Sequence, residues 1–157
     1  MPQRRLFPPT LPKGGLYVLI LRVARPVRVT VGRLGRQDFK PGSYFYVGTA
    51  KTPRMPSRLA RHFAKTKTVR WHIDYLTELD AVEPVGAVIV AGRTSECALN
   101  MEVGRLSGMV TTMPGFGSSD CTRRPRCPAH LWFSAAEINV AAIERHVGSW
   151  FFHARQR

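Results

Sequence analysis

The sequence predicts an α+β protein in which helices flank a small antiparallel or mixed β-sheet that carries an inserted β-hairpin. Strand-type segments, either apolar or alternating, fill residues 16–48 and are joined by short turns. Helix-type patterns begin at residue 57, and a further apolar strand lies among them. The chain has 157 residues, 44% of them hydrophobic, which is enough to bury one core without disulfides or a structural metal.

The first part of the domain contains three predicted strands. Residues 16–23 form an apolar run of strand length, which indicates a strand buried on both faces. After a turn at Arg25 and Pro26, residues 27–32 alternate between apolar and basic side chains, a pattern typical of a half-exposed strand. A turn at residues 40–42 leads into the aromatic-rich strand 43–48. Short connections between successive strands predict an antiparallel meander.

Two helices and a strand are predicted next. A helix over residues 57–64 would begin with Ser57 as its N-cap, and residues 71–79 place Trp71, Tyr75 and Leu79 on one stripe of a second helix. Residues 85–90 have the composition of a central strand.

The last elements are less regular in sequence. Thr94 or Ser95 would cap a helix that runs to about residue 106, and residues 113–128, rich in glycine, serine and proline, predict a loop. Residues 131–133 predict a last short strand, and residues 137–152 a closing helix. The expected organisation is a basic, proline-rich arm over 1–13, a domain over 14–134 and a C-terminal helix within 135–157 that packs on the same domain.

Charge divides the chain into two unlike halves. The formal net charge is +14, and residues 1–70 hold 16 Lys and Arg against one acid, Asp38. Residues 71–157 hold 8 basic and nine acidic residues. An excess gathered in one half favours a surface that faces a polyanion, above all a nucleic acid.

Other classes of protein are disfavoured. There is no apolar run of the length that a membrane span needs, and the N-terminal residues have no apolar region of the kind found in a secretory signal. Three cysteines are too few for a disulfide scaffold, which favours a reduced, cytoplasmic protein.

A set of residues suited to phosphodiester chemistry is spread over these elements. Gly15-Leu16-Tyr17 opens the first strand, Tyr46-Val47-Gly48 closes the third, and Arg58 and His62 are i, i+4 neighbours on a helix. A later helix carries Glu96 and Glu102. Hydrolysis of a phosphodiester needs a base, a cation beside the phosphate and a carboxylate for a divalent metal, and these residue types supply all three.

This set resembles the GIY-YIG nuclease superfamily. The resemblance is closer to a branch of small stand-alone domains, some of which occur joined to endonuclease-III-like repair enzymes. It extends over about residues 14–134 and includes the run from Trp71 to Leu76, Glu96-Cys97, and the run from Pro114 to Cys121 that is followed by Cys127 and His130.

The resemblance implies a role for each matching position. Tyr17 would be the general base or would position the water, with Tyr46 as its partner from the adjacent strand. Arg58 would bind the scissile phosphate, and His62 would assist proton transfer. Arg58 and a divalent cation are expected to lower the pKa of Tyr17 toward neutrality, because both favour the phenolate.

The metal carboxylate has two candidates. The superfamily pattern Ala-Leu-x-x-Glu selects Glu102, whereas the branch pattern Glu-Cys selects Glu96, which is favoured because the rest of the chain follows the branch. The two residues border the same apolar stripe, about 120° apart around the helix, so helical phase leaves both open. The expected cofactor is Mg²⁺ or Mn²⁺.

Further residues are expected to support the site or to bind the substrate. His72, Tyr75 and Asn100 are the supporting candidates, and for His72 simple capping or packing is an equal alternative. The residues expected to contact nucleic acid are Arg28, Arg33, Arg36, Lys51, Arg54, Arg61, Lys65, Lys67 and Arg70.

Cys121, Cys127 and His130 have ligand types suited to zinc. The fourth ligand would have to be Cys97, a distant histidine or Asp120. A structural metal, a loop ordered by polar contacts and a redox role all remain open for this group.

The sequence therefore predicts a metal-dependent endonuclease or nickase that acts on DNA, in repair or recombination. Alternatives are a catalytically weak module that binds nucleic acid, and a domain that binds acidic proteins or anionic lipids. Partners expected under the first hypothesis are DNA, with RNA as the alternative, and a repair protein or a separate DNA-binding partner, because no attached DNA-binding domain is evident.

Overall fold

The computed structural model of the chain describes residues 11–90, 92–136, 140–147 and 150–153. The arm expected over residues 1–13 therefore lies almost wholly outside the described residues. The strands are β1 (Gly15–Val23), β2 (Val27–Thr30), β3 (Arg36–Phe39), β4 (Gly42–Ala50), β5 (Val82–Val90), β6 (Val110–Thr111), β7 (Leu131–Ser134) and β8 (Trp150–His153). The helices are α1 (Met55–Phe63), α2 (Asp74–Thr77), α3 (Glu96–Gly104) and α4 (Val140–Val147). The predicted α+β class is confirmed.

An antiparallel sheet of six strands forms the centre of the fold, in the order β6-β7-β4-β1-β5-β8. Its central strand β1 pairs along its whole length with β4 on one side and with β5 on the other. The strand predicted at residues 16–23 is therefore confirmed, including its burial on both faces. Side chains of β1 point alternately to the two faces of the sheet. Tyr17, Leu19 and Leu21 belong to the core on one face, and Leu16, Val18 and Ile20 belong to the core on the other.

The inserted hairpin is confirmed, but the predicted meander is wrong. β2 pairs with β3 in a separate two-stranded sheet, and β4, rather than β2, lies beside β1. The alternating exposure of β2 explains the difference, because its polar side chains would be buried on one face of the central sheet. Strand β3 was not predicted from the sequence.

Different elements cover the two faces of the sheet. The first core contains residues of α1, α2, the hairpin and the loop at Met113 and Phe116. The second core contains residues of α3 and α4, including Leu99, Val103 and Ile143. The sheet is thus the middle layer of a three-layer domain, with both faces buried.

The helix expected from Ser57 begins earlier, at Met55, with Arg54 at the N-cap position. Pro56 lies in the first turn, where a missing N–H does not matter. Ser57 is therefore not the N-cap, and its hydroxyl donates a hydrogen bond to the Arg54 carbonyl, 3.1 Å away.

The second predicted helix is shorter than residues 71–79. Asp74 Oδ2 accepts hydrogen bonds from the backbone N–H groups of Arg70 and Trp71, which holds residues 70–73 in a turn and leaves only Asp74–Thr77 as helix. In the next helix, α3, Ser95 is the N-cap as predicted and accepts a hydrogen bond from Ala98 N at 3.2 Å.

Strand β5 extends three residues before the predicted 85–90 because a bulge accommodates Pro84. Ile20 pairs with Gly86 and Leu21 with Pro84, so Val85 is the extra residue on this strand.

The closing helix predicted over 137–152 is wrong from Trp150 onward. Helix α4 ends at Val147, and Trp150–His153 forms strand β8, which pairs with Gly86–Ile89 of β5. Three of these four residues are aromatic, a composition that favours a strand once a partner strand is available. Within the described residues, no helix has the length and apolar character needed to cross a membrane.

Candidate active site

An open cavity of about 330 Å³ brings together the residues that the motifs pointed to. Tyr17, Tyr46, Arg58, His62 and Glu96 all line it, although they come from four different elements. Its other lining residues are Gly48, Thr49, Arg70, Trp71, His72, Gly117, Ser119 and Asp120.

The two Tyr-Gly motifs meet because their strands are paired in register. Tyr17 of β1 lies opposite Gly48 of β4, and its ring covers that glycine. A Cβ at Gly48 would lie 2.5 Å from the phenol oxygen of Tyr17, so any larger residue would displace the ring. The glycine of the second motif therefore makes room for the tyrosine of the first.

Helix α1 supplies the basic side of the cavity. Arg58 and His62 lie one turn apart and face the same cavity, as their spacing predicted. The Arg58 guanidinium donates a 2.6 Å hydrogen bond to the Thr49 carbonyl and stacks on Trp71, 4.5 Å from the ring centre. These two contacts fix its plane while most of its N–H donors are left for a ligand.

Tyr17 and His62 form a buried hydrogen-bonded pair. Tyr17 Oη lies 2.7 Å from His62 Nε2, and each residue is 1% exposed. Burial lowers the pKa of His62 to about 3, so the imidazole is neutral at physiological pH. His62 Nδ1 is buried without a hydrogen-bond partner among the described residues.

Burial also raises the pKa of Tyr17 well above 10, with a smaller contribution in the same direction from Tyr46. Arg58 acts in the opposite direction, but its effect is the smaller one. The expectation that Arg58 would bring the pKa of Tyr17 toward neutrality is therefore wrong for the protein alone, because desolvation of the phenolate outweighs one nearby cation. Both members of the pair are neutral.

The low pKa of His62 predicts acid-sensitive folding. Between pH 8 and pH 5 the unfolded chain binds a proton at this imidazole whereas the folded chain does not, so the free energy of unfolding falls with pH by about 2 kcal/mol. Urea unfolding of the wild type and of His62→Gln over this range measures the effect. The variant should lack this part of the pH dependence, and His146→Asn, which changes an exposed histidine of α4, should keep it. Equal slopes in the wild type and His62→Gln would contradict the neutral buried imidazole.

The structure distinguishes the two candidate glutamates by position. Glu96 lies in the first turn of α3 and lines the cavity, and its Oε1 is 3.2 Å from His130 Nδ1. Glu102 forms a two-pronged ion pair with Arg93, at 2.7 and 2.9 Å, and is not among the residues that line the cavity. Arg93 also lowers the pKa of Glu102, which keeps that carboxylate charged and paired.

The three residues proposed as supports have different positions. His72 lines the cavity, and its Nδ1 accepts a 2.9 Å hydrogen bond from the backbone of Gly117, so the neutral ring carries its proton on Nε2. Asn100 is buried outside the cavity, where it connects α3 to the Ala129 carbonyl and to the Trp132 indole. Tyr75 packs against the first core, near Gly32 of the hairpin.

Several of the basic residues expected to contact nucleic acid have partners within the protein. Arg61 pairs with the buried Asp74 carboxylate at 2.7 Å, and its guanidinium also stacks on Trp71. The Lys65 ammonium donates to the Leu79 and Val82 carbonyls, and that of Lys67 to the Arg61 carbonyl and the Thr77 hydroxyl. These cations hold helix α1 against α2 and β5.

The remaining basic candidates are more accessible. Arg70 lines the cavity, and Lys51 and Arg54 are exposed between β4 and α1. On the hairpin, Arg33 and Arg36 are exposed, whereas Arg28 forms an exposed ion pair with Asp38 at 2.6 Å.

A cluster of cysteine and histidine side chains adjoins Glu96 through His130. One ligand atom each from Cys97, Cys127 and His130 lies within 4.8 Å of the others, so this cluster could hold a metal ion. Cys121 lies beside it, with its sulfur 3.6 Å from that of Cys97. All three cysteines are free thiols.

Sequence reasoning missed four polar or aromatic contributors to the cavity. Trp71 supplies the ring under Arg58, Thr49 supplies the carbonyl that holds it, and Ser119 and Asp120 also line the cavity. Trp71 and Asp120 lay inside motifs that had been singled out, but the ring was assigned to a helix stripe and the carboxylate was considered only as a zinc ligand.

Comparison with protein families gave a match over most of the chain. The model of the domain of unknown function DUF123 matches residues 16–150, which contain the central sheet, the cavity and the cysteine cluster. Comparison with curated proteins and with solved structures gave no match.

Proposed function

We propose that this chain, which belongs to the family of the domain of unknown function DUF123, is a cytoplasmic, metal-dependent endonuclease or nickase of the GIY-YIG type that hydrolyses phosphodiester bonds in DNA. One observation carries the proposal: a single cavity collects a phenol, an imidazole, a stacked arginine and a carboxylate from four elements. The order of the motifs along the chain, from the Gly-x-Tyr strand to the glutamate helix, supports the same assignment.

Arg58 is the phosphate-binding residue in this proposal. Its guanidinium is held by Trp71 and the Thr49 carbonyl, so little side-chain freedom is lost when a phosphate binds. Arg70 adds a second cation at the cavity. A fixed guanidinium beside the scissile phosphate stabilises the charge that develops during hydrolysis.

Tyr17 and His62 form the proton path. Because the pKa of Tyr17 is raised by burial, the phenol acts as a neutral relay: its oxygen accepts a proton from the attacking water while its own proton passes to His62 Nε2. The imidazole is unprotonated and can take this proton, but the burial that lowers its pKa to about 3 also makes it a weak base, so the step depends on the proton passing onward. His72, held by Gly117, presents an N–H donor at the same cavity.

Glu96 is the proposed ligand of Mg²⁺ or Mn²⁺, with Asp120 as the second carboxylate of the cavity. Magnesium sites of this kind use one or two carboxylates together with substrate phosphates, and the donor set fits that pattern. When bound, the cation would supply charge stabilisation at the phosphate and lower the pKa of a coordinated water.

The proposed DNA surface follows the accessible cations. Lys51, Arg54 and Arg70 form it near the cavity, and Arg33 and Arg36 extend it along the hairpin. Because Arg61, Lys65 and Lys67 have partners within the protein, the surface is smaller than the sequence suggested, which supports a repair protein or a separate DNA-binding partner as the source of further affinity.

A catalytically weak module that binds nucleic acid is the second candidate. The deep burial of Tyr17 favours it, because a phenol that is 1% exposed must be reached by water before it can take part in hydrolysis. The two candidates differ in whether metal-dependent cleavage accompanies binding.

Nicking of supercoiled plasmid in the presence of Mg²⁺, Mn²⁺, Ca²⁺ or a chelator tests the proposal. We expect cleavage with Mg²⁺ or Mn²⁺ and none with the chelator. Glu96→Gln should lower the rate by about 100-fold or more, because one ligand of the cation loses its charge. Glu102→Gln, a matched change on the same helix, should leave the rate nearly unchanged because that carboxylate pairs with Arg93.

Salt-sensitive DNA binding without metal-dependent cleavage would contradict the nuclease and support the binding module. Equal loss of activity in Glu96→Gln and Glu102→Gln would overturn the assignment of Glu96.

A further inference from the structure

Three cysteines and one histidine form a cluster next to Glu96. Cys97 lies in the first turn of α3, Cys121 and Cys127 in the long loop before β7, and His130 directly before that strand. Two segments, the start of α3 and the stretch 121–130, thus bring three sulfurs and an imidazole together, in a domain that already has two apolar cores.

Two of the separations within the cluster are close to the edges of a zinc tetrahedron. Zn–S bonds of about 2.3 Å and Zn–N bonds of about 2.0–2.1 Å place two sulfurs about 3.8 Å apart, and a sulfur about 3.6 Å from the nitrogen. Cys97 Sγ lies 3.6 Å from Cys121 Sγ and 4.0 Å from His130 Nε2. Cys97, Cys127 and His130 form a group whose ligand atoms all lie within 4.8 Å of one another, and Cys121 adjoins this group through its contact with Cys97.

The residue types and their burial select the metal and its role. Cys121, Cys127 and His130 are buried and Cys97 is partly buried, and thiolates with one imidazole suit Zn²⁺ better than Mg²⁺ or Ca²⁺. Four protein ligands would fill the tetrahedron and leave no open position for a reacting water. A closed set of this kind is structural rather than catalytic.

His130 connects this cluster to the candidate active site. Its Nε2 faces the sulfurs, while Nδ1 lies 3.2 Å from Glu96 Oε1. A histidine that binds zinc through one nitrogen commonly donates its other N–H to a carboxylate, which fixes both groups. The Glu96 carboxylate is placed to accept this second hydrogen bond from His130 Nδ1.

We propose that Cys97, Cys121, Cys127 and His130 bind one structural Zn²⁺ and that His130 thereby holds the Glu96 carboxylate in place. The ion joins the start of α3 to the loop before β7. The zinc site stands independently of the proposed nuclease activity, whereas the importance of a fixed Glu96 for cleavage rests on that activity.

Metal analysis of the purified protein tests the zinc site directly. We expect one zinc and no iron per chain after gel filtration with a weak chelator. Replacement by Co²⁺ should give the visible bands of a tetrahedral site together with thiolate-to-cobalt charge transfer, a reading that needs no variant. Absence of both bound zinc and cobalt bands would overturn the proposal.

Cys121→Ser, Cys127→Ser and His130→Asn should each lose zinc, and His146→Asn should retain it. Oxidation of Cys97 and Cys121 to a disulfide in the purified protein is the competing outcome, because their sulfurs lie only 3.6 Å apart. Alkylation of the unfolded, unreduced protein after zinc removal distinguishes the two, because the zinc site predicts three reactive thiols and the disulfide only one. A count of one would overturn the proposal.

The connection to Glu96 has its own measurement. Glu96→Gln should weaken zinc binding by about 10-fold or more in competition with a chromophoric chelator, because the ligand histidine loses its charged partner. Glu102→Gln is the matched control and should bind zinc like the wild type. Equal zinc affinity in Glu96→Gln and the wild type would contradict the connection, and these readings are independent of whether the protein cuts DNA.

Discussion

Replacement of Tyr17 by phenylalanine is expected to lower the rate of plasmid nicking by about 100- to 10,000-fold, the range that a positioned proton-transfer group contributes. The variant removes only the phenol oxygen, which lies 2.7 Å from His62 Nε2, and keeps the ring that packs over Gly48. Single-turnover cleavage at saturating protein measures the loss, and fluorescence anisotropy with labelled DNA should show nearly unchanged affinity.

Tyr44→Phe provides a matched control for this prediction. Tyr44 lies on the neighbouring strand β4 and outside the cavity, and its hydroxyl donates a hydrogen bond to the Lys40 carbonyl, 2.8 Å away. The variant removes the same phenol oxygen as Tyr17→Phe does. It should cleave at close to the wild-type rate. If Tyr17→Phe retains full activity, Tyr17 is a core tyrosine and the proton path through His62 is excluded.

Loss of the hydroxyl also has a structural consequence that must be separated from catalysis. His62 Nε2 would lose its partner while buried, which destabilises the fold by about 1–3 kcal/mol. Urea unfolding of Tyr17→Phe measures this loss. A variant that remains folded at the assay temperature, yet fails to cleave, assigns the defect to chemistry.

Local periodicity explains which parts of the site could be predicted from the sequence. The motifs Gly-x-Tyr and Tyr-Val-Gly selected Tyr17 and Tyr46, and helical spacing placed Arg58 and His62 together. Both patterns depend on neighbours within a few residues. The choice between Glu96 and Glu102 depends instead on which end of α3 approaches the cavity, and only the packing of the helix decides that.

Long-range partners explain where the sequence failed. Lys65 and Lys67 looked like free cations because their acceptors are backbone carbonyls and a hydroxyl of other elements, which carry no charge in a sequence. The predicted direction of the Tyr17 pKa shift was wrong for a related reason. Counting Arg58 as a neighbour gave a lowered value, but the larger effect is burial, which depends on everything packed around the ring.

Strand β8 is a similar case. Residues 150–153 were assigned to a helix by continuation from the helical pattern before them, whereas pairing with β5 determines their structure. Edge pairing of this kind depends on a strand more than 60 residues earlier in the chain, so no local window contains the signal.

The largest effect on stability is expected at Asp74. Its buried carboxylate accepts hydrogen bonds from the backbone of Arg70 and Trp71 and from the Arg61 guanidinium, at 2.7–3.0 Å. Asp74→Ala would leave three donors without this partner and one guanidinium without its counter-charge. Removal of one member of a buried ion pair destabilises a protein by about 3–5 kcal/mol, and urea unfolding at pH 7 should show a loss of this size.

A matched variant, Asp38→Ala, and the pH dependence of unfolding both test whether this loss comes from the buried charge of Asp74. Asp38→Ala, which breaks the exposed pair with Arg28, should change the free energy of unfolding little, because water replaces the lost partner. Burial alone would raise the pKa of Asp74, but the hydrogen bonds from Trp71, Arg70 and Arg61 hold it below the usual range. Its contribution is therefore complete above about pH 4 and lost as the pH falls through the lowered pKa.

The difference in stability between the wild type and Asp74→Ala should accordingly be largest near neutrality and smaller in strong acid. The same variant should also lower cleavage, since Asp74 fixes the turn that carries Trp71, and Trp71 is the ring on which Arg58 stacks. A change as small in Asp74→Ala as in Asp38→Ala would mean that the turn at residues 70–73 is held by the surrounding core. The carboxylate would then have no part in positioning Arg58.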